Sequence, residues 1–251
     1  MILEVKNITK DFTVERGFFK QETGSLRALD NVSFIVEEFS AQAIVGESGS
    51  GKTTLAKIIL NLVPATSGEV IFNKNMISNF RKDVQIIFQN PYNSLNPKMR
   101  IADILIEPLL IHKIVGREFL RGRAIELLRM VGLEENSLNR VPIEFSGGQR
   151  QRICIARALA SEPKFVILDE PISSLDLTIQ AAMLDLFLEL KEKFRLTYIF
   201  ISHNLAVVKH IADRVAVMQN GQVVEEGTCK EIFSKPLNRY TEILLEAARG
   251  G

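Results

Sequence analysis

Gly46-Glu47-Ser48-Gly49-Ser50-Gly51-Lys52-Thr53 sets glycines, a lysine and a hydroxyl in an order suited to gripping a row of phosphates. Glycines let the backbone curl until successive N–H groups point at one anion. Lys52 would then reach the β- and γ-phosphates of a nucleoside triphosphate. The Thr53 hydroxyl would ligate the accompanying Mg²⁺, with Thr54 beside it on the same turn. Such a site also needs a carboxylate. The apolar run Phe165-Val166-Ile167-Leu168 ends in Asp169-Glu170, so Asp169 is expected to hold Mg²⁺, directly or through water. Successive strand side chains point to opposite faces. Glu170 is therefore free for a second task, orienting or deprotonating the attacking water.

These groups require particular elements behind them. Residues 41–45 read as a short buried strand running into the glycine loop, and residues 53–62 as a helix stopped by Pro64 and Gly68. The positive end of that helix would face the phosphates. Residues 84–88 and 198–201 read as further buried strands, the second leading into Ser202-His203. Residues 215–218 and 223–224, joined by Asn220-Gly221, read as a hairpin with a type I′ turn. The first six residues alternate like an edge strand.

From Asn90 to Arg140 the texture changes to a loop followed by helices at 101–110 and 117–131. Ser146 can cap a helix through 149–160. Residues 176–194 form an amphipathic helix with Ile179, Met183, Leu186, Phe187, Leu190 and Phe194 on one core-facing side. Strands alternating with helices predict a largely parallel sheet, with ligands at the carboxyl ends of its strands. The glycine loop, Asp169-Glu170 and His203 all fall at such ends.

The 251 residues carry a net charge of +1, so composition argues against a nucleic-acid partner. Cys154 and Cys229 fit no metal or disulfide pattern and are expected to be reduced thiols. The first residues lack the apolar core of a signal peptide. No apolar run is long enough to span a bilayer, so any membrane link must run through another protein. Arg150 and Arg152 read as a solvated helix face. His112 and His210 have no ligand spacing and are assigned nothing.

Phe145-Ser146-Gly147-Gly148-Gln149, just upstream of the Asp169 strand, resembles the signature motif of ABC-type ATPases, the nucleotide-binding subunits of ABC transporters. Phe145 stands where leucine is commonest. The resemblance covers essentially the whole chain. Gln89 matches the Q-loop glutamine, Ser173-Ser174-Leu175-Asp176 the D-loop and His203 the switch histidine.

The resemblance implies an α/β fold: a P-loop NTPase (RecA-like) core with a mostly parallel sheet, an N-terminal antiparallel β subdomain and an inserted α-helical subdomain. Residues 1–251 would form one ABC ATPase domain. Its core would be 1–89 with 161–235, its helical signature subdomain 90–160, and its short C-terminal helix 236–251. Phe12 would stack on adenine, with Phe18 and Phe19 as nearby competitors. Ser146, Gly147, Gly148 and Gln149 would bind the γ-phosphate of ATP held by an opposite subunit, so that a head-to-tail dimer encloses two ATPs. Gln89 would sense Mg²⁺ and the attacking water, and His203 would contact the γ-phosphate.

Phe88-Gln89-Asn90-Pro91-Tyr92-Asn93-Ser94-Leu95-Asn96-Pro97 is similar to the same region of oligopeptide, dipeptide and nickel importer ATPases. So is the early insertion Val14-Glu15-Arg16-Gly17-Phe18-Phe19. The chain resembles the second ATPase of such a pair. The implied partners are a homologous ATPase subunit (giving a hetero- or homodimer), two membrane-spanning permease subunits and, indirectly, an extracytoplasmic solute-binding protein. The implied location is the cytoplasmic face of the membrane, peripherally attached. The end at Gly251, without a cysteine-containing tail, leans toward nickel or metal-chelate cargo over peptide. The competing class is a non-transport ABC ATPase of translation or DNA-repair type. Such relatives carry paired domains or long insertions that this chain does not have.

Overall fold

The structure, a computed structural model, describes residues 1–16 and 21–249. Gly17, Phe18 and Phe19 of the early insertion lie outside the described residues. The chain divides into two compact units, residues 1–76 with 197–251, and residues 77–196. The first unit begins with β1 (Leu3–Arg16), β2 (Gln21–Val36), β3 (Ala41–Val45), α1 (Lys52–Ile59) and β4 (Ser67–Phe72). The second holds α2 (Phe80–Asp83), β5 (Val84–Ile87), α3 (Pro91–Ser94), α4 (Ile101–Ile111), α5 (Leu120–Met130), α6 (Gly147–Leu159), β6 (Phe165–Asp169) and α7 (Leu177–Phe194). The chain returns to the first unit with β7 (Thr197–Ser202), α8 (Leu205–Ile211), β8 (Arg214–Gln219), β9 (Gln222–Thr228), α9 (Cys229–Ser234) and α10 (Arg239–Arg249).

In the first unit β1 lies between β2 and β4 in an antiparallel sheet. It is a central strand, not the edge strand its alternation suggested. Alternation reports which face is buried, and Leu3, Val5 and Ile8 are indeed inside. It carries no information about how many neighbours a strand has. In the same unit β3 runs parallel to β7 on one side and β8 on the other, and β9 closes on β8 antiparallel. The β8–β9 turn has Asn220 at φ 48° and Gly221 at φ 80°, the two left-handed residues that a type I′ turn needs.

In the second unit β5 and β6 pair in parallel, with Ile87 opposite Leu168. β6 is buried along its whole length. Helix α7 buries Met183, Leu184, Leu186, Phe187 and Leu190, while Ile179 and Phe194 are only half-buried near its ends. Burying a side chain of this size is worth about 1.5–3 kcal/mol, enough for this face to hold the helix in place. Cys154 of α6 is buried, which pushes its thiol up to about 11, and Cys229 is half-buried and also raised by burial. Among the described residues no helix is long and apolar enough to cross a membrane.

Candidate functional site

The glycine loop joins β3 to α1 and is shaped by backbone conformations only glycine adopts easily. Gly46 has φ 151°, and a Cβ there would sit 2.1 Å from the Met218 carbonyl oxygen. Gly51 has φ 105°, and a Cβ there would sit 2.7 Å from the Ala28 carbonyl oxygen. The loop is tied down from behind, because Gly221 N–H donates to Ser50 O at 3.1 Å and Asp30 N–H to Gly221 O at 2.9 Å. Gly51 is the N-cap of α1 and no side chain caps the helix, while the first turn carries no acidic residue. That leaves the positive end of the helix directed at whatever the loop encloses.

Lys52 is 5% exposed, and its ammonium donates to the carbonyl oxygens of Gly46 and Glu47, each at 2.7 Å, and to Ser50 Oγ at 3.4 Å. A buried cation is thus held over the loop itself. Glu47, Ser48, Gly49 and Thr53 are exposed, and Thr54 is half-buried. His203 follows β7, whose last residue Ser202 is in parallel register with Val45, the residue before Gly46. The strand register therefore sets exposed His203 beside the start of the loop. Asn204, the next residue, caps α8 by accepting from Ala206 N–H at 3.0 Å.

Phe12 lies in the β1–β2 hairpin, opposite Leu26. Both are exposed, at 39% and 61%, and the Lys10 ammonium lies 4.9 Å from the Phe12 ring centre. An exposed flat ring of this kind is available for stacking.

In the second unit, Asp169 closes β6 and is 6% exposed. Glu170 follows in the left-handed region at φ 48°, a conformation that costs a non-glycine residue energy and recurs at functional positions. Gln89 follows β5, and the β5–β6 register brings it alongside Glu170. Its Nε2 donates to Glu170 Oε2 at 3.2 Å and to Ser173 Oγ at 3.3 Å. Ser173 Oγ in turn donates to the Glu170 carbonyl oxygen at 3.1 Å. Gln89 thus bridges the Glu170 carboxylate and the Ser173 hydroxyl, and Ser173 returns to the Glu170 backbone.

Ser146 caps α6, accepting from Gln149 N–H at 3.3 Å, and Gln149 Oε1 accepts from Ser146 N–H at 3.0 Å. This reciprocal box fixes the entry to the helix. Gly148 is buried, and a Cβ there would meet Ile179 Cγ2 at 3.0 Å; a Cβ at Gly147 would lie 3.7 Å from Leu175. Ile179, read from sequence as core, covers Gly148.

Arg150 and Arg152 are not a solvated face. Arg150 is 7% exposed. Its Nε donates to Pro142 O at 2.7 Å, and its guanidinium lies 4.0 Å from the Tyr92 ring centre. Arg152 donates to Val131 O at 2.7 Å, and Arg157 to Ser94 O at 2.5 Å. The signature helix is thereby pinned to the segment after Gln89. Sequence could not reveal this, because the accepting groups are backbone carbonyls that carry no residue-type signal.

A triphosphate with magnesium fits these residues. The loop offers N–H groups and a cation. Among the described residues no three or more His, Cys, Asp and Glu side chains gather to bind a metal unaided. Mg²⁺ bound with a nucleotide needs only one or two protein ligands beside phosphate oxygens and water.

A glycine loop closing a central parallel strand, with an acidic strand end and an SGGQ-capped helix, defines a P-loop ATPase of the ABC class. The family model described as ABC transporter matches residues 29–173, and the chain belongs to that family. It is 45% identical over 254 residues to the di/tripeptide transport ATP-binding protein DppF of Pseudomonas aeruginosa, covering 98% of this chain and 78% of the relative. It is 47% identical to the oligopeptide transport ATP-binding protein OppF of Streptococcus mutans, covering 98% and 81%. Among solved structures it is similar to the ATP-binding cassette MJ0796 in a dimeric post-hydrolysis state bound to ADP and Pi. That match has a TM-score of 0.77 and 30% identity over 91% of this chain and 99% of the other. The cbiO1 protein of Clostridium perfringens, part of the ABC transporter complex cbiONQ, matches with a TM-score of 0.76 and 26% identity over 98% and 96%.

Proposed function

We propose that this ATPase powers an importer of short peptides, working as one of two nucleotide-binding subunits beneath a pair of permease subunits. The Gln89–Glu170 contact supports the catalytic part of this reading most directly: a glutamate at a strand end, held by a neighbouring amide, is poised to act on water. Bound ATP supplies the phosphoanhydride whose terminal phosphoryl group passes to water.

The roles follow from the chemistry of each group. Lys52 exchanges the Gly46 and Glu47 carbonyls for phosphate oxygens. By the family resemblance, Thr53 and Asp169 would hold the Mg²⁺ that offsets phosphate charge, and Gln89 would sense that ion and the attacking water. Glu170 accepts the proton of the attacking water, and His203 stabilises charge on the transferred group. Phe12 stacks on adenine. Ser146, Gly147, Gly148 and Gln149 face the γ-phosphate held by a second subunit, so dimerisation and hydrolysis are coupled. Residues 90–99 meet the permease, and the Arg150–Tyr92 and Arg157–Ser94 contacts carry motion between that segment and the signature helix.

Peptide is favoured over nickel as cargo because DppF and OppF are both peptide transport proteins by name. Co-expression with the permease subunits of a peptide importer is expected to give ATP-dependent uptake of labelled tri- to pentapeptides. Uptake of nickel with no peptide transport would contradict the cargo assignment.

A further inference from the structure

The last helix, α10, reaches back to the phosphate loop. Tyr240 in its first turn is 9% exposed, and its hydroxyl oxygen accepts the Glu47 N–H at 3.2 Å. That N–H belongs to the same peptide unit as the Gly46 carbonyl. Lys52 donates to the oxygen of this unit at 2.7 Å. One peptide plane is therefore gripped from both sides, by an ammonium on its oxygen and a phenol on its nitrogen. Peptide planarity means that fixing either group fixes the other.

Tyr240 is itself held firmly. The Glu225 carboxylate of β9 accepts from Leu237 N–H at 2.8 Å and from Asn238 N–H at 3.1 Å. Asn238 donates to Val224 O at 3.3 Å and accepts from Tyr240 N–H at 2.8 Å. One turn further on, Leu245 is buried at 5% exposure. The start of α10 is thus fixed to β9, and the phenol is delivered to the loop at a set height.

We propose that Tyr240 is a positioning residue for nucleotide binding. When Lys52 turns from the Gly46 carbonyl to phosphate oxygens, the Tyr240 hydroxyl keeps the Gly46–Glu47 peptide in place, and the loop retains the shape that receives phosphate. This inference rests on the ATPase reading above, since Lys52 changes partner only if a phosphate arrives. It makes the C-terminal helix part of the nucleotide site, although Tyr240 touches no nucleotide.

Tyr240→Phe tests it, because the ring stays packed and only the hydroxyl that accepts the Glu47 N–H is lost. KM for MgATP is expected to rise about threefold to tenfold, the loss of one hydrogen bond, with kcat within about twofold of wild type. Backbone amide exchange is expected to accelerate at residues 46–48 while remaining unchanged around Leu245, a pattern that general loosening of α10 would not give. Wild-type hydrolysis with unchanged KM and unchanged exchange at 46–48 in the variant would overturn the role of Tyr240 and leave the ATPase reading standing. Faster exchange along the whole of α10 would also overturn it, assigning the effect to helix docking. Absence of MgATP hydrolysis by the wild-type chain would instead sink the ATPase reading itself.

Discussion

Glu170→Gln is expected to lower ATP turnover by about 10²- to 10⁴-fold, the range lost with a general base, while ATP still binds. The substitution keeps side-chain length and leaves an oxygen that can accept from Gln89 Nε2, which now donates at 3.2 Å. The geometry at the strand end therefore survives, and only the charge and the basicity go. In the proposed site Glu170 would stand near the γ-phosphate, so removing its charge would also reduce repulsion in the ATP-bound state. The variant should accumulate as a nucleotide-loaded dimer of twice the 28.2 kDa chain mass. Phosphate release, retained nucleotide and mass in solution with ATP are the measurements. Hydrolysis at the wild-type rate would sink the role given to Glu170.

Lys52→Ala is expected to weaken ATP binding roughly 10- to 100-fold, the worth of a charge-assisted hydrogen bond, and to abolish turnover. Lys52 has two jobs in this account. It is the cation for the phosphates, and it holds the Gly46 and Glu47 carbonyls at 2.7 Å in the curled loop. Alanine removes both, so the loss in affinity combines missing ligand contact with a poorly held loop. Titration with a fluorescent ATP analogue measures it directly. Unchanged affinity would count against the loop as the phosphate site.

What could be read from sequence was chemistry encoded within a few residues. The loop at 46–53 and the capped SGGQ segment are local: spacing alone fixes which backbone groups converge. Asp169-Glu170 was legible because an apolar run fixes the end of a buried strand. The Gln89–Glu170 contact depends on register between β5 and β6; resemblance to a family gave Gln89 a role but not this contact. Tyr240 gave no signal at all. It meets Glu47 across 193 residues of chain, and a lone tyrosine at a helix start has many uses. Arg150 and Arg152 were misread for a related reason: the carbonyls of Pro142 and Val131 that they serve are brought in by the folding of the chain. The first strand was misplaced at an edge because alternation marks a buried face and not a pairing partner.

The central claim is that each ATP is enclosed by the loop of one subunit and the signature segment of another. Mixing Lys52→Ala with Ser146→Arg protein tests it most directly. Each variant alone should be inactive. In random dimers half the pairs are mixed, and each mixed pair carries one intact composite site. The equimolar mixture should then recover roughly a quarter of wild-type phosphate release, given two-fold symmetric pairing and independent sites. A mixture no more active than its separate components would contradict a site shared between two chains.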